Sequence, residues 1–267
     1  MTDRSFLFVP GNRPERFDKA CAAGADVVLL DLEDAVTAAD KPTARAAVRA
    51  WLAPSKSVYL RINGADSEWF ADDLPLLGLP GVRGVVLPKA EDIEAVAAAK
   101  RAAPDRPLIA LIESARGLAN VATLACGGIA RIAFGSVDFQ FDLGISGERD
   151  ELLFARSQLV LASRLAGLPP PIDGVTVALD DPAVLADDIA YARRLGFGGK
   201  LAIHPRQVAA INAGFLPPKP ELEWARRVVE AAAEARDNAV RVDGKLVDKP
   251  IIDRARAILE AAAAAPR

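Results

Sequence analysis

Two acidic residues, Glu113 and Asp138, stand where a carboxylate could bind a metal ion. Each follows a short apolar run of β type, at 107–112 and at 129–134, and precedes a turn or a helix. If these runs are parallel strands of one barrel, both acids project from the same rim, where two hard oxygen ligands suit Mg²⁺. Arg61, in the strand-like SVYLRIN, would add a guanidinium that grips a carboxylate through two hydrogen bonds. Together they predict a site for a small oxo- or hydroxy-acid beside Mg²⁺.

A simpler reading of Glu113 and Asp138 is that each acid stabilises the N-terminus of a helix, by roughly 0.3–1 kcal/mol. Glu33 and Asp34 also follow a strand-like run, in LDLEDAV. They would complete the outer shell of the metal or orient Arg61, as residues behind a metal site commonly do. Helix capping by Asp34 or by Asp40 is an equal alternative.

Three basic residues, Arg13, Arg16 and Lys19, recur at every third position in the segment that begins the first helix. This spacing places them near one helix face. Basic groups in a first turn oppose the helix dipole. An anionic ligand, such as the phosphates of coenzyme A, would account for them. The alternative is a solvated face paired with Glu15 and Asp18.

Strand-like runs alternate with Ala-rich helical stretches along most of the chain, which is typical of parallel βα units. A series of polar residues falls at the C-terminal ends of these runs, where a barrel carries its active site. They are Asn12, Asp31 to Asp34, Arg61, Asn63, Lys89, Glu113, Asp138 and His204. The sequence therefore predicts an α/β fold, a (β/α)8 TIM barrel. The eight candidate strands are SFLFVP, DVVLLD, SVYLRIN, RGVVLP, PLIALIE, IARIAFG, PIDGVTV and GKLAIHP.

We place the barrel at residues 1–214 and a C-terminal extension at residues 215–267. The extension reads as a helix started by proline, a hairpin that turns at Asp243-Gly244, and a final helix. We expect it to pack on the barrel or on a neighbouring subunit.

The composition of the 267-residue chain excludes several classes of protein. Its net charge of −3 offers no broad attraction to nucleic acid or to an acidic membrane. No apolar stretch approaches the ~20 residues of a membrane span, and no secretory signal is present, so we expect a cytoplasmic protein. Cys21 and Cys126 lack metal-ligand spacing, and we expect both to be buried as small hydrophobic residues.

Several motifs, taken in order, resemble one known family. They are FVPGNRPERFDKA, VVLLDLEDAV, LRIN, VVLPKAE, LIESARG, GSVDF, GKLAIHPRQ and VDKP, which span about residues 4–250. The chain resembles the citrate lyase β-subunit-like branch of the HpcH/HpaI aldolase superfamily, which includes malyl-CoA and citramalyl-CoA lyases. The resemblance implies Mg²⁺ and reversible carbon–carbon cleavage of a 3-hydroxyacyl thioester, such as citramalyl-, malyl- or citryl-CoA, into a keto acid and acyl-CoA.

The resemblance also implies roles for individual residues. Glu113 and Asp138 match the metal ligands, and Arg61 matches the arginine that holds the substrate carboxylate. Asp248, in LVDKP, matches a catalytic aspartate carried on a C-terminal flap that often reaches a neighbour's active site. A homo-oligomer, a trimer or hexamer, is expected on the same ground.

The remaining site residues concern the two ends of the substrate. The small residues before Asp138 are expected to line the keto-acid pocket. The resemblance implies that the segment of Arg13, Arg16 and Lys19 contacts coenzyme A, together with an aromatic or apolar residue and the backbone of the GKLAIHP motif. His204 is the only histidine, and we favour a strand-end turn before Pro205 over a catalytic base. The pocket residues are Gly135, Ser136 and Val137, and the additional coenzyme A contacts are Phe8, Ile203 and His204.

Three other functions stay open at this point. The chain could be a subunit that acts inside a multi-protein citrate lyase on a carrier-protein thioester. It could be a metal-dependent aldolase for free hydroxy-keto acids, although such relatives commonly use a histidine base early in the barrel and no histidine precedes His204. A noncatalytic module that binds coenzyme A is the third.

Overall fold

The predicted (β/α)8 barrel is confirmed. The computed structural model describes residues 3–235 and 239–263. Eight parallel strands close into a barrel in sequence order, with β1 paired to β8. The strands are β1 (Ser5–Pro10), β2 (Val27–Asp31), β3 (Val58–Arg61), β4 (Val82–Leu87), β5 (Leu108–Ile112), β6 (Arg131–Phe134), β7 (Ile172–Asp173) and β8 (Gly199–Ala202).

Helices follow the strands, as expected for βα units. None of the described helices is long and apolar enough to cross a membrane. Short 3₁₀ turns lie at Pro14–Arg16, Ala38–Asp40 and Leu74–Leu76. The α-helices are α1 (Phe17–Cys21), α2 (Lys41–Trp51), α3 (Phe70–Asp73), α4 (Ile93–Ala102), α5 (Ala115–Ala119), α6 (Val121–Cys126), α7 (Ser136–Leu143), α8 (Asp150–Leu165), α9 (Pro182–Leu195), α10 (Pro205–Gly214), α11 (Lys219–Glu234) and α12 (Lys249–Ala263).

The interior of the barrel is filled by alternate residues of the strands, because successive side chains of a strand point to opposite faces. Phe6, Leu29, Tyr59 and Ile109 belong to one buried cluster in this interior. Gly84 of β4 faces this layer, since a Cβ there would lie 2.2 Å from a ring carbon of Tyr59. The packed layer closes the barrel below the rim that carries the polar residues.

Strand β7 is shorter than the sequence predicts, with only Ile172–Asp173 in the sheet instead of residues 171–177. Three prolines, at positions 169–171, precede it. Gly174 follows it, where a Cβ would lie 2.3 Å from the Oγ of Ser136. Proline has no N–H to donate to a neighbouring strand, so the sheet cannot extend toward residue 169. After Asp173, the backbone at Gly174 lies close to Ser136.

The chain forms two compact units, which divide between Asn212 and Ala213. In the C-terminal unit, α11 and α12 flank a hairpin of β9 (Val240–Val242) and β10 (Lys245–Val247), around a small core that includes Val228 and Ile252. The hairpin turns at Asp243 and Gly244 as predicted, with positive φ at both residues. The predicted packing of the extension on the barrel or on a neighbouring subunit stays a prediction.

The expectation that both cysteines are buried is wrong, because Cys21 and Cys126 are exposed. Each is the last residue of a short helix that buries other side chains. In α1 the buried residues are Phe17 and Ala20. The residue before each cysteine is buried, and successive residues of a helix face different directions. Each cysteine therefore lies on the solvent-facing side of its helix.

A buried ionic cluster joins the outside of the barrel wall to a helix. Asp173 of β7 accepts from Nζ of Lys200 in β8 at 3.1 Å and from Nε of Arg156 in α8 at 2.9 Å. All three side chains are at most 4% exposed. Burial raises the pKa of Asp173, but Lys200 and Arg156 outweigh this effect, and the net pKa is lowered.

Replacement of Asp173 should destabilise the barrel strongly. Asp173→Ala leaves two buried cations without their shared carboxylate, and we expect a loss of about 3–5 kcal/mol in the free energy of unfolding. Urea unfolding followed by circular dichroism measures it. Asp180→Ala is the control, because Asp180 is exposed and lies 3.9 Å from Arg206, and it should change stability by less than about 0.5 kcal/mol. Equal stability of the two variants would refute the structural role of the cluster.

Candidate active site

Arg61, Glu113 and Asp138 meet at the rim formed by the C-terminal ends of the strands. Arg61 is the last residue of β3, Glu113 directly follows β5, and Asp138 lies in the first turn of α7 after β6. They share a cavity of about 60 Å³. The cavity is lined by Phe8, Arg61, Leu111, Glu113, Phe134, Gly135, Ser136, Val137, Asp138, Val175 and Leu201, which include the three residues expected to line a keto-acid pocket.

Glu113 has one oxygen held by the protein and one oxygen free. Its Oε1 accepts from the backbone N–H of Lys89 at 2.7 Å. Its Oε2 is buried and has no hydrogen-bond partner among the described residues. A Cβ at Gly135 would lie 2.5 Å from this Oε2, so only glycine leaves it room. The buried Oγ of Ser136 also lacks a partner among the described residues. Buried polar atoms usually find partners, and these two lie in the lining of one cavity.

The carboxyl groups of the cavity hold their protons more tightly than usual. Burial raises the pKa of Glu113 well above its ordinary value, and Glu33 and Asp138 add to the rise against the opposing effect of Arg61. Burial and Asp34 raise the pKa of Asp138, while Arg61 and Lys89 oppose the rise. A cation held by these carboxylates would oppose both rises, because a nearby opposite charge favours the ionised form.

Arg61 is surrounded by acidic groups. Its Nε and Nη2 donate to the two oxygens of Asp31 at 2.7 and 2.6 Å, as a bidentate pair. Its Nη1 lies 3.0 Å from Glu33 and 3.4 Å from Asp34. The ring of Phe8 stacks on the guanidinium at 4.5 Å. The fork that was expected to grip a substrate carboxylate therefore binds Asp31, and Arg61 presents a fixed positive charge to the cavity.

Glu33 is the most unusual acid of the rim. It is 4% exposed, and its oxygens form no hydrogen bond with acceptable geometry among the described residues. They lie 3.0 Å from Arg61 Nη1 and 3.4 Å from Lys89 Nζ, as ion pairs. Burial raises its pKa to about 7, with Arg61 opposing the rise and Asp34 adding to it. Glu33 and Asp34 thus contact Arg61, as one of the two readings of LDLEDAV predicts.

The other reading, helix capping by these acids, is not seen at α2. Asp40 stands at the N-cap of α2 without a side-chain capping bond. It accepts instead from Asn12 and Thr37. The loop that carries Glu33 is held by Lys41, whose Nζ donates to the carbonyls of Leu32 and Glu33 at 2.8 and 2.7 Å.

A larger cavity, of about 430 Å³, lies beside the first and shares Phe8 with it. Its lining includes five of the six residues expected along coenzyme A: Phe8, Arg16, Lys19, Ile203 and His204. Arg13 is absent from this lining and pairs with Glu15 at 2.6 Å. For Arg13 the structure therefore favours the alternative of a solvated, paired side chain.

His204 lies in a turn after β8, as its neighbour Pro205 suggests. Its Nδ1 accepts from the backbone N–H of Arg206 at 3.1 Å. It does not line the cavity that holds Glu113 and Asp138. This placement agrees with the preference for a turn residue over a catalytic base.

Asp248 belongs to the C-terminal unit and is exposed. It directly precedes α12, and its carbonyl accepts from the N–H groups of Ile251 and Ile252 at 3.1 and 3.0 Å. Its backbone thus caps the helix while its carboxylate faces solvent. The catalytic role that the resemblance implies for this residue stays a prediction.

Three residues of the site received no role from the sequence, although Asp31 and Lys89 were recognised as polar residues at strand ends. Asp31 ends β2 and is the register partner of Arg61, so pairing the two strand ends could have found it. Lys41 lies eight residues beyond Glu33, and no local pattern announces it. Lys89 acts through its backbone N–H, which the residue type does not reveal.

The donor set at the rim fits one hard divalent cation with few protein ligands. The described residues contain no group of three or more His, Cys, Asp or Glu with metal-binding geometry. Mg²⁺ is commonly bound by one or two carboxylates, with water and substrate in its other positions. The rim also holds more acids than bases. The acids are Asp31, Glu33, Asp34, Glu113 and Asp138, and the bases near them are Arg61, Lys89 and Lys41.

Comparison with known proteins places this geometry in context. Residues 4–205 match the family model described as HpcH/HpaI aldolase/citrate lyase. A citrate lyase subunit beta-like protein from Deinococcus radiodurans is 38% identical over 266 residues, covering 92% of this chain and 92% of the relative. A (3S)-malyl-CoA thioesterase from Cereibacter sphaeroides is 36% identical, over 92% of this chain and 89% of the relative. The crystal structure of protein CitE from Mycobacterium tuberculosis with magnesium, acetoacetate and coenzyme A has a TM-score of 0.87 at 36% identity, covering 98% of both chains.

The raised pKa of Glu33 predicts how stability depends on pH without added metal. Between the ordinary value of 4.5 and about 7, the folded protein keeps a proton that the unfolded chain has lost. The free energy of unfolding therefore falls as the pH rises from 4.5 to about 7, because the folded protein must then give up a proton that it binds more tightly than the unfolded chain does. Glu33→Gln removes this loss, so from pH 4.5 to pH 8 the variant should gain up to about 3 kcal/mol relative to the wild type.

Thermal and urea unfolding in EDTA at several pH values measure this difference. Glu68→Gln is the control, because Glu68 is exposed, and it should leave the pH profile unchanged. A stability difference between Glu33→Gln and wild type that stays constant over this range would contradict the assignment.

Proposed function

The chain belongs to the HpcH/HpaI aldolase/citrate lyase family and is a lyase enzyme, and on that premise we propose that it cleaves a 3-hydroxyacyl-CoA in a Mg²⁺-dependent reaction. The products would be a keto acid and an acyl-CoA, and citramalyl-, malyl- and citryl-CoA are the candidate substrates. The observation that carries the proposal is the buried, unpartnered Oε2 of Glu113 in the cavity that Asp138 also lines.

Glu113 and Asp138 are the residues that would hold Mg²⁺. When bound, Mg²⁺ supplies Lewis-acid stabilisation of negative charge on the substrate's oxygens. The related CitE structure, which contains magnesium, supports this assignment. The raised pKa values of the two carboxyls mean that metal binding would release protons and would strengthen as the pH rises.

The small cavity would take the acid end of the substrate. Arg61 contributes a fixed charge toward the substrate carboxylate, and its bond to Asp31 keeps that charge in place. The Oγ of Ser136 is free to donate a hydrogen bond. Apolar side chains such as Leu111 and Val175 form the rest of the wall and would exclude water from the reacting carbon.

The larger cavity would take part of coenzyme A. Its volume of about 430 Å³ is within the range of ligand sites. Arg16 and Lys19 give it two positive charges, while Phe8 and Ile203 give it apolar surface. A phosphate-bearing ligand with an apolar arm fits this combination. The related CitE structure contains coenzyme A, which supports the assignment.

The proposed cleavage breaks the bond between C2 and C3 of the acyl chain. The 3-hydroxyl loses its proton to water, C3 becomes the carbonyl carbon of the keto acid, and the electron pair of the broken bond leaves as the thioester enolate. Asp248 would pass a proton from water to C2 of the enolate. The condensation is the reverse, with Asp248 as the base.

A second candidate activity is hydrolysis of the same thioester. The relative from Cereibacter sphaeroides carries the name (3S)-malyl-CoA thioesterase. Hydrolysis would break the carbon–sulfur bond and yield malate and free coenzyme A, whereas lyase activity on malyl-CoA yields glyoxylate and acetyl-CoA. A carrier-protein thioester and a free hydroxy-keto acid stay as the alternative substrates.

We retain a homotrimer and a cytoplasmic location as proposals. Several large apolar side chains on α7 and α8 are exposed, among them Phe141 at 89% and Phe154 at 69%. Exposed apolar patches of this kind often mark protein–protein interfaces. They are the surface that an assembly of identical chains would bury.

The substrate is tested by mass spectrometry of the products formed from malyl-CoA, citramalyl-CoA and citryl-CoA, with Mg²⁺ and with EDTA. We expect metal-dependent release of a keto acid together with acetyl-CoA from at least one of them. Malate and free coenzyme A from malyl-CoA would favour the thioesterase. If none of the three reacts, the coenzyme A proposal fails, and carrier-bound thioesters and free acids become the substrates to test.

The role of Asp248 is tested by Asp248→Asn. Loss of the proposed proton donor should lower the cleavage rate by roughly 10²–10⁴-fold, the usual contribution of general acid–base catalysis. The affinity for Mn²⁺, used as a probe for the Mg²⁺ site, should change little. Asp253→Asn is a matched control, because Asp253 is an acid of α12 that pairs with Lys249 at 3.4 Å. Full activity in Asp248→Asn would remove this residue from the mechanism.

A further inference from the structure

Lys89 has a backbone conformation that its residue type does not favour. Its φ is +43°, and the only other described non-glycine residue with positive φ is Asp243, which lies in the hairpin turn before Gly244. Aspartate tolerates such a conformation in a hairpin turn. A lysine has no such local reason, and strained backbone of this kind is often held in place at functional sites.

The strained conformation redirects one backbone N–H. Strand β4 pairs with β5 as far as Leu87, and Pro88 then has no N–H to donate. After the turn at Lys89, Ala90 resumes contact with β5 through the carbonyl of Leu111 at 3.2 Å. Between these two points the N–H of Lys89 leaves the ladder and donates to Oε1 of Glu113 at 2.7 Å.

This bond determines which oxygen of Glu113 is available. Oε1 is held by this bond, and Oε2 lies beside Gly135 in the lining of the cavity. The side chain of Lys89 is anchored separately, because its Nζ lies 3.4 Å from Oε1 of Glu33. The backbone and the side chain of Lys89 thus connect two acids of the rim.

We propose that Lys89 is a positioning residue, whose left-handed backbone fixes Glu113 so that its free oxygen is ready for a divalent cation. This inference rests on the proposed metal-dependent function. It assigns the effect to the backbone conformation and not to the ammonium group. Fixing a ligand in its binding geometry before the metal arrives removes part of the ordering cost of binding.

The experiment compares variants that all lack the ammonium group of Lys89. They differ in how readily the backbone at position 89 adopts a positive φ. Lys89→Gly and Lys89→Asn accept positive φ, whereas the β-branched Lys89→Val and Lys89→Ile resist it more than lysine does. The probe is Mn²⁺, titrated against the full-length protein and followed by the electron paramagnetic resonance signal of the free ion. Circular dichroism and thermal unfolding verify that each variant is folded, and Lys89→Ile is a second β-branched variant that keeps the test valid if Lys89→Val does not fold.

We expect Lys89→Gly and Lys89→Asn to keep at least about one third of the wild-type affinity for Mn²⁺. Removal of a nearby positive charge does not weaken the binding of a cation. Lys89→Val should lose roughly tenfold or more, since the hydrogen bond to a charged group is lost. Equal affinities across the four variants, whether all high or all low, would overturn the proposal. Absence of Mn²⁺ binding by the wild type would instead refute the metal site itself.

Discussion

The buried guanidinium of Arg61 is the constraint on which the active-site rim depends. A cation taken out of water at the end of β3 requires nearby carboxylates. Asp31 supplies the first of these carboxylates, because it is the register partner of Arg61 on β2. Glu33 and Asp34, in the loop after β2, supply two more. The closing of the parallel barrel therefore brings the arginine and its acids together without any long-range adjustment.

Once these acids are gathered, the rim holds more acidic groups than basic groups. Three of the acids have a pKa above its ordinary value, since burial raises the pKa of Glu33, Glu113 and Asp138. Such a site is unfavourable for the stability of the protein alone and favourable for a protein that binds a cation. Functional sites are where proteins keep arrangements of this kind. The buried cluster of Asp173, Arg156 and Lys200 is the contrasting case, because its charges are mutually paired.

The parts of this site that the sequence could predict are those set by strand order. Glu113 and Arg61 are recognisable because each ends a β-type run, and parallel strands end at one rim. Lys89 could not be assigned, because its contribution is the direction of one N–H, fixed by a φ of +43°. The cysteines were misjudged for a related reason. Residue type favours burial, but the face of a short helix decides it, and Phe17 and Ala20 occupy that face in α1.

Phe8 lies between the two cavities in which the two ends of the proposed substrate would bind. It lies on β1 between the cavities and lines both of them. Its ring covers the guanidinium of Arg61 at 4.5 Å, an arrangement in which a cation is attracted to the aromatic face. The same ring therefore shields the charged acid end and offers apolar surface toward Arg16 and Lys19. Strand β1, which carries Phe8, is paired with both β2 and β8 in the closed barrel. On the proposed function, a substrate that fills both cavities would pass Phe8, and the bond between its acid end and its thioester arm would lie at the rim beside Glu113 and Asp138.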